Sequence, residues 1–284
     1  MTYVVLDLLG RVVAQRRAPT PQRGGPERTM AGIGDAVHAL IVSSGVPRER
    51  ILGLGIAAPG PLDPAAGLVL DPPELPGWGR VPLRNVLSAA TGLPILLDQD
   101  VIAAAFAERW AGAAAHTGGF LFFSLGTGSG MRLVVDDTVL RRASGNAGEI
   151  GGLDAGCIPR AMVEAAVLPV VPREAGSGAA ELCRGAGADP AAAGVVDRWA
   201  EWVGRGVSPA ATLVDAELIV FGGPSRPHLS ERFLRIVAAL VAGSPFVKPT
   251  RPTVVTGTAV GAVGAACLVL DHMPSVRPQA LLPG

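Results

Sequence analysis

The chain has 284 residues, 49% of them hydrophobic and 17% charged, and its 24 basic residues balance 24 acidic ones. This length and composition are typical of a folded protein with one large domain or two ordinary ones. The zero net charge and the low charged fraction give no indication of the basic face with which a nucleic-acid-binding protein collects phosphates.

The first half of the chain alternates strand and helix patterns. Its strands are apolar runs bounded by turn residues, and its helices follow the 3.6-residue period. The predicted elements, in chain order, are a hairpin (3–6 and 12–17), a helix (28–44), a buried strand (51–57), a loop (59–78), a helix (81–91), a short strand (94–97) and an Ala-rich helix (101–112).

The second half repeats this arrangement, with a hairpin followed by strand–helix units, which predicts mixed sheets covered by helices. We place the boundary between two lobes near residues 111–118, so that a first lobe spans 1–112 and a second spans 113–284, with the last helix packing back on the hinge. The predicted elements are a hairpin (120–125 and 131–135), helices (160–167 and 194–214), a strand (217–221), a helix (230–241), a strand (252–255) and a helix (260–272).

The cysteines and the apolar segments bear on location. Cys157, Cys183 and Cys267 are odd in number and widely spaced, which argues against a disulfide framework. The apolar run 258–270 is shorter than the roughly 20 residues of a membrane span. No basic region opens a signal peptide, and Asp7 interrupts the first apolar residues. We therefore expect a cytoplasmic protein that does not bind membranes.

A glycine-rich turn joins the strands of the second hairpin. In Gly126-Thr127-Gly128-Ser129-Gly130, alternate glycines let backbone N–H groups converge on an anion, and two hydroxyl groups add donors. The turn is a candidate phosphate site. Many hairpins carry such turns for conformational reasons alone, and this alternative stays open for the turn by itself.

Six motifs, taken in their order along the chain, resemble those of the ROK family of repressors, open reading frames and sugar kinases. The resemblance runs from Tyr3 to about Leu270. It implies an α/β, two-lobed actin/hexokinase-like (ribonuclease H-like) ATPase fold, with sugar in a cleft and nucleotide on the second lobe. The motifs are Gly55-Ile56-Ala57-Ala58-Pro59-Gly60-Pro61, Leu75-Pro76-Gly77-Trp78, Asp98-Gln99-Asp100, Leu125-Gly126-Thr127-Gly128, Gly145-Asn146-Ala147-Gly148-Glu149-Ile150-Gly151 and Val220-Phe221-Gly222-Gly223.

The resemblance assigns roles to several of these residues. Asp100 matches the catalytic base of the family's kinases, since phosphorylation of a sugar hydroxyl needs a carboxylate in hydrogen-bond reach. The alternative is a helix cap, and the two roles are compatible. Gln99 stands where the family has Asn, and keeps an amide for sugar recognition. Gly126, Thr127, Gly128, Gly222 and Gly223 match the nucleotide-binding segments.

Two further carboxylates match sugar ligands of the family. Glu149 lies in a loop whose glycines allow a ligand to approach, although a solvated loop carboxylate is the alternative. Glu164 matches through a segment that departs from the family pattern.

Two departures argue against a complete kinase. Where the family has a His and a cysteine-rich zinc motif, this chain has Gly152 and only Cys157, which cannot form a tetrahedral site, so no zinc is expected. The family also opens with an Asp-x-Gly-Gly-Thr phosphate loop. This chain begins after it, so we expect a first lobe lacking its first strand, and a start that is misassigned or a product of truncation.

Three hypotheses follow. The first is a sugar-binding or regulatory module without phosphotransfer, the second an ATP-dependent hexose kinase (glucokinase-like) with Asp100 as base, and the third a truncated product without function of its own. The resemblance implies a small-molecule sugar as ligand and ATP with Mg²⁺ as candidate cofactors. Dimers are common in the family, so a homodimer is a candidate assembly. The repressors carry an upstream helix-turn-helix that this chain lacks, so no direct nucleic acid binding is expected.

Overall fold

The described part of the chain forms two units. They comprise Met1–Gly112 with Gly257–Gly284, and Ala113–Thr256. The last helix thus groups with the first unit. The computed structural model describes residues 1–19, 25–72, 75–125, 129–141, 148, 178–223, 229–242, 252–254 and 260–273.

Strands and helices follow one another in the order expected for an α/β fold. The strands are β1 (Thr2–Leu6), β2 (Val12–Arg17), β3 (Leu54–Ala58), β4 (Leu62–Asp63), β5 (Leu68–Leu70), β6 (Arg80–Val81), β7 (Ile95–Gln99), β8 (Phe120–Leu125), β9 (Ser129–Val135), β10 (Thr138–Val139), β11 (Leu218–Gly222) and β12 (Pro252–Val254). The helices are α1 (Gly25–Ser44), α2 (Leu83–Thr91), α3 (Asp100–Ala111), α4 (Gly178–Gly185), α5 (Pro190–Val214), α6 (Glu231–Ala242) and α7 (Val260–Asp271).

The described residues of the first unit form three small sheets. β1 and β2 form an antiparallel hairpin, β3 pairs with β7 in parallel, and β4, β5 and β6 form an antiparallel sheet. The prediction of a plain loop over 59–78 was wrong, because strands of two or three residues are too short to show a period of two. The strand predicted from residue 51 begins only at Leu54, because a 3₁₀ turn at Arg48–Arg50 leads into it.

Helix α7 packs directly on the backbone of its neighbours in the first unit. A Cβ atom on Gly264 would lie 1.6 Å from the carbonyl oxygen of Ala103 in α3. On the other side, a Cβ atom on Gly55 in β3 would lie 1.6 Å from the carbonyl oxygen of Ala265. Only glycine fits at these two positions, and they fix α7 against both α3 and β3.

In the part of the second unit that the structure describes, five strands form a mixed sheet in the order β10-β9-β8-β11-β12. β8 pairs antiparallel with β9 and parallel with β11. Its core joins the sheet to the helices through aromatic rings. The ring centroid of Phe221 in β11 lies 6.0 Å from that of Phe233 in α6, which lies 4.8 Å from that of Trp199 in α5. The mixed sheet predicted for this half is therefore observed.

Helix α5 begins four residues before the predicted start. The Asp189 carboxylate accepts a hydrogen bond from the N–H of Ala191 at 2.8 Å, and Pro190 occupies the first helical position. Both are standard devices for starting a helix. Helix α4 is not among the predicted elements, because its Gly and Ala residues do not show a clear helical pattern. The helix predicted over 160–167 lies outside the described residues. Within the described residues, no helix has the length and apolarity needed to cross a membrane.

Candidate functional site

One group of predicted site residues lies where β3 and β7 end. The two strands run parallel, and Ala58 of β3 is paired with Gln99 of β7. β3 continues into the Pro59-Gly60-Pro61 loop, while β7 continues into α3 through Asp100. In open α/β sheets, ligands bind in the crevice outside the carboxyl ends of parallel strands. The structure therefore brings two predicted sugar ligands, Gln99 and Asp100, together at such an edge.

Asp100 is the first residue of α3, and it is exposed. Its Oδ1 accepts a hydrogen bond from the N–H of Val101 at 2.8 Å. Gln99 is the N-cap residue and provides no side-chain cap. Asp100 therefore bonds the backbone of the first helical turn, which is close to the capping role left open by its sequence position. A carboxylate has about four acceptor sites, so this bond is compatible with ligand binding.

Asp98 precedes these residues and is only 2% exposed. Its Oδ1 accepts the backbone N–H of Gln99 at 2.9 Å, which constrains the junction between β7 and α3. The sequence motif contains Asp98, but nothing in it distinguishes this buried, positioning carboxylate from its exposed neighbour. The burial of Asp98, which the structure shows, makes this distinction.

A second group of predicted site residues lies in the other unit, where β8 and β11 end side by side. Gly222 pairs with Ser124, and a Cβ atom on Gly222 would lie 2.4 Å from the Phe122 ring. Gly223 has a φ of +86°, and a Cβ atom there would lie 2.5 Å from the carbonyl oxygen of Leu125. Both glycines are thus required beside the last residue before the predicted phosphate turn. Gly126, Thr127 and Gly128 of that turn lie outside the described residues.

Gly148 attaches the segment that carries Glu149 to strand β9. The N–H of Met131 donates to the carbonyl oxygen of Gly148 at 2.9 Å. Gly148 has a φ of +88°, and a Cβ atom on it would lie 1.9 Å from the carbonyl oxygen of Met131. Arg132, 1% exposed, donates from Nη1 to that same oxygen at 2.7 Å. The glycine before Glu149 is therefore fixed beside the strand that follows the phosphate turn.

Several predicted site residues are not placed by the structure. Glu149 and Glu164 lie outside the described residues. So do Gly152 and Cys157, which stand at positions where the family has its zinc motif. The other two cysteines are described and buried, and burial raises the pKa of each thiol, Cys183 and Cys267, to about 12. Neither forms a thiolate near neutral pH, so neither suits a nucleophilic or metal-ligating role.

A groove of about 480 Å³ lies at the amino ends of α5 and α6 in the second unit. Asp189 and Pro190 line it, as do Asp197 and Arg232, which form a bidentate ion pair. The pair raises the pKa of the Arg232 guanidinium, chiefly through the hydrogen bonds to Asp197. Sequence reasoning missed this groove because its residues come from separate helices.

Comparison with known proteins relates the chain to one family. The family model described as "ROK family" matches residues 1–272. The chain is 30% identical over 258 residues to the N-acetylmannosamine kinase of Citrobacter koseri, covering 84% of this chain and 83% of that enzyme. It is 28% identical over 148 residues to the xylose repressor of Caldicellulosiruptor bescii, covering 52% of this chain and 37% of the repressor.

The chain spans less than half the length of the glucokinase and xylose repressors that lead its curated relatives. Among solved structures, it superposes on a ROK hexokinase from Thermus thermophilus with a TM-score of 0.79 and 27% identity, covering 94% of this chain and 97% of that one. The predicted α/β, actin/hexokinase-like fold is thereby confirmed.

Proposed function

This chain belongs to the ROK family, whose members here include sugar kinases and sugar-responsive repressors, and we propose that it binds a sugar through Gln99, Asp100 and Glu149. The observation that carries this proposal is the adjacent amide and carboxylate at the carboxyl ends of β3 and β7. An amide donates and accepts hydrogen bonds, and a carboxylate accepts them, which together suit the hydroxyl groups of a sugar. Glu164 is a further candidate ligand.

The conformation of the β7–α3 junction supports this proposal. The buried Asp98 holds the N–H of Gln99, and Asp100 holds the N–H of Val101. Both bonds restrict the backbone that carries the two polar side chains. A ligand therefore meets side chains carried by a backbone whose conformation is set before binding, which lowers the entropy lost on association.

Titration calorimetry with glucose, N-acetylglucosamine, N-acetylmannosamine, mannose, fructose and xylose tests sugar binding. A hydrogen bond to a charged group contributes roughly 1.5 to 3 kcal/mol, so Asp100→Ala should weaken binding about tenfold or more. Asp35→Ala is the matched control, since Asp35 is an exposed carboxylate on α1, which is not part of the β7–α3 junction. If a sugar binds and neither Asp100→Ala nor Glu149→Ala weakens it, the assigned site is wrong.

ATP-dependent phosphorylation of a sugar is the second candidate function. It is favoured by Gly222 and Gly223, which the fold requires beside the end of β8, and by the kinases among the relatives. In this candidate Asp100 accepts the proton of the attacking hydroxyl, and the Gly126–Gly128 turn with the Gly222-Gly223 pair binds the nucleotide phosphates through backbone N–H groups. Mg²⁺ would accompany ATP and neutralise charge on its phosphates.

A coupled assay with ATP, Mg²⁺ and the sugar that binds separates the two candidates. Binding without turnover is the expected result for a sugar-binding module. A turnover of about 1 per second or faster, abolished in Asp100→Asn, assigns the chain to the kinases. Asp100→Asn keeps the shape of the side chain and removes the base, so it distinguishes proton transfer from sugar contact.

A further inference from the structure

Gly60 and Gln99 face each other across the ends of β3 and β7. Gly60 lies two residues beyond Ala58, the residue paired with Gln99. A Cβ atom on Gly60 would lie 2.8 Å from Nε2 of Gln99, 3.5 Å from its Cδ and 3.6 Å from its Cγ. The side chain of Gln99 therefore lies across the Cα atom of Gly60, in space that any other residue at position 60 would fill.

The glycine at position 60 does not adopt a left-handed backbone conformation. Gly60 is absent from the residues of the described chain that have positive φ, so its φ angle does not exclude alanine. The atoms that a methyl group would meet belong to the end of one flexible side chain. At Gly55, by contrast, a methyl group would meet backbone atoms at 1.6 Å. An alanine at position 60 is thus accommodated by movement of the Gln99 amide.

We propose that this contact determines which sugar the site prefers, with Gln99 as the specificity-determining residue and Gly60 as a positioning residue that acts through it. The inference rests on the proposed sugar-binding function. Gln99 has an amide with a donor end and an acceptor end, next in sequence to Asp100. A site that hydrogen-bonds a hydroxyl group discriminates against sugars in which that group is missing or inverted, because its polar atoms then lack partners. The place of the amide therefore selects between epimers.

Four proteins test the coupling: the wild type, Gly60→Ala, Gln99→Asn and the double variant. Their affinities for two epimeric pairs, glucose with mannose and N-acetylglucosamine with N-acetylmannosamine, are measured by calorimetry. We expect Gly60→Ala to change the affinity ratio within a pair by about three- to tenfold, the size of one hydrogen bond. In the Gln99→Asn background, the same change should alter the ratio less than about twofold, because the shorter side chain leaves room for the methyl group.

Two controls separate this effect from general damage. Gly32→Ala introduces the same methyl group at a helical position with no atom within 4 Å, and should leave the ratio unchanged. Thermal unfolding of Gly60→Ala should stay close to that of the wild type, since only a side-chain end moves. A Gly60→Ala protein that does not fold overturns the inference, because the methyl group would then displace backbone.

The remaining outcomes also decide the matter. Unchanged ratios in Gly60→Ala, or equal effects of this change in both backgrounds, overturn the inference and leave sugar binding intact. A wild-type protein that binds none of the sugars overturns the proposed function itself, together with the selectivity that depends on it.

Discussion

Arg109 on α3 forms an ion pair with Asp271 at the end of α7, joining residues 162 positions apart in the sequence. Their side chains are only 9% and 18% exposed. The Arg109 guanidinium also lies 5.5 Å from the centre of the Phe106 ring. This pair holds α7 to the helix whose first residue is the candidate base Asp100.

We expect Asp271→Asn to lower the free energy of unfolding by about 1 to 3 kcal/mol, because it removes the charge of a carboxylate that pairs with a largely buried guanidinium. Chemical denaturation of the variant measures this change. The control is Arg205→Ala, which removes an exposed pair with Glu201 at 3.6 Å and should change stability by less than about 0.5 kcal/mol. Equal effects of both substitutions would show that the Arg109–Asp271 pair contributes no more to the free energy of unfolding than an exposed ion pair does.

Two glycines of α7 provide a test of its packing. Gly264→Ala should lower the free energy of unfolding by about 3 kcal/mol or more, or prevent folding, because its methyl group meets the backbone of α3 at 1.6 Å. Gly261→Ala, on the same helix with no atom within 4 Å, should be neutral or stabilising by up to about 1 kcal/mol through helix propensity. Thermal unfolding of the two variants measures these changes in stability. A tolerated Gly264→Ala would mean that α7 does not lie against Ala103.

The elements whose apolar pattern extends over many residues could be predicted from the sequence. The strands β8 and β11 and the helices α1 and α6 lie within three residues of their predicted bounds, because each buries a face whose pattern is visible in the sequence. The sheet of β4, β5 and β6 was not predicted from the sequence, since its strands are too short to form a pattern. Tertiary pairing alone defines them.

The same distinction between local patterns and tertiary contacts applies to the candidate site. Gln99 and Asp100 were identified because they belong to one short motif, and the structure places them at one strand end. The role of Gly60 requires a distance between two segments, which no local pattern contains. The groove beside Arg232 likewise depends on the meeting of separate helices.

Thiol reactivity tests the interior of both units. We expect Cys183 and Cys267 to resist a thiol reagent at pH 8 in the native protein and to react once it is unfolded, because burial raises the pKa of both to about 12. Cys157→Ser removes the third cysteine, so that the native variant should show almost no reactive thiol. Fast reaction in native buffer would show that one of these side chains is accessible.

These thiols also predict a pH dependence of stability. Their native pKa values of about 12 lie above those of unfolded thiols, near 8.5. The unfolded chain therefore loses these protons first, and the stabilisation is full below about pH 8.5 and declines as the pH rises toward 12. Unfolding midpoints of Cys183→Ala should fall less steeply between pH 8.5 and 10.5 than those of the parent. Parallel curves would contradict the burial of this thiol.

Metal analysis tests the departure from the family's zinc motif. We expect the purified and dialysed protein to contain far less than one zinc per chain, because Gly152 and the single Cys157 leave no tetrahedral ligand set. Atomic emission or absorption spectroscopy measures the content directly. Zinc near one equivalent, lost in Cys157→Ser, would show that other ligands complete a site around this cysteine.

The β1–β2 hairpin should be the least protected part of the first unit's sheets. It forms a two-stranded sheet of its own among the described residues, and five of the six β2 residues are exposed. At its tip, Leu8 and Leu9 are 48% and 55% exposed. Two-stranded hairpins are marginally stable by themselves, so local opening should require little free energy.

Hydrogen exchange followed by mass spectrometry measures this difference. After correction for intrinsic rates, we expect the ladder amides of β1 and β2 to exchange about 100-fold faster than those of β8 and β11, whose residues are almost all buried. The β3–β7 pair provides an internal reference, since it is also two-stranded but fixed by the close contact of Gly55 with α7. Exchange of the hairpin as slow as that of β3 and β7 would contradict this, because the hairpin would then open only with the whole unit.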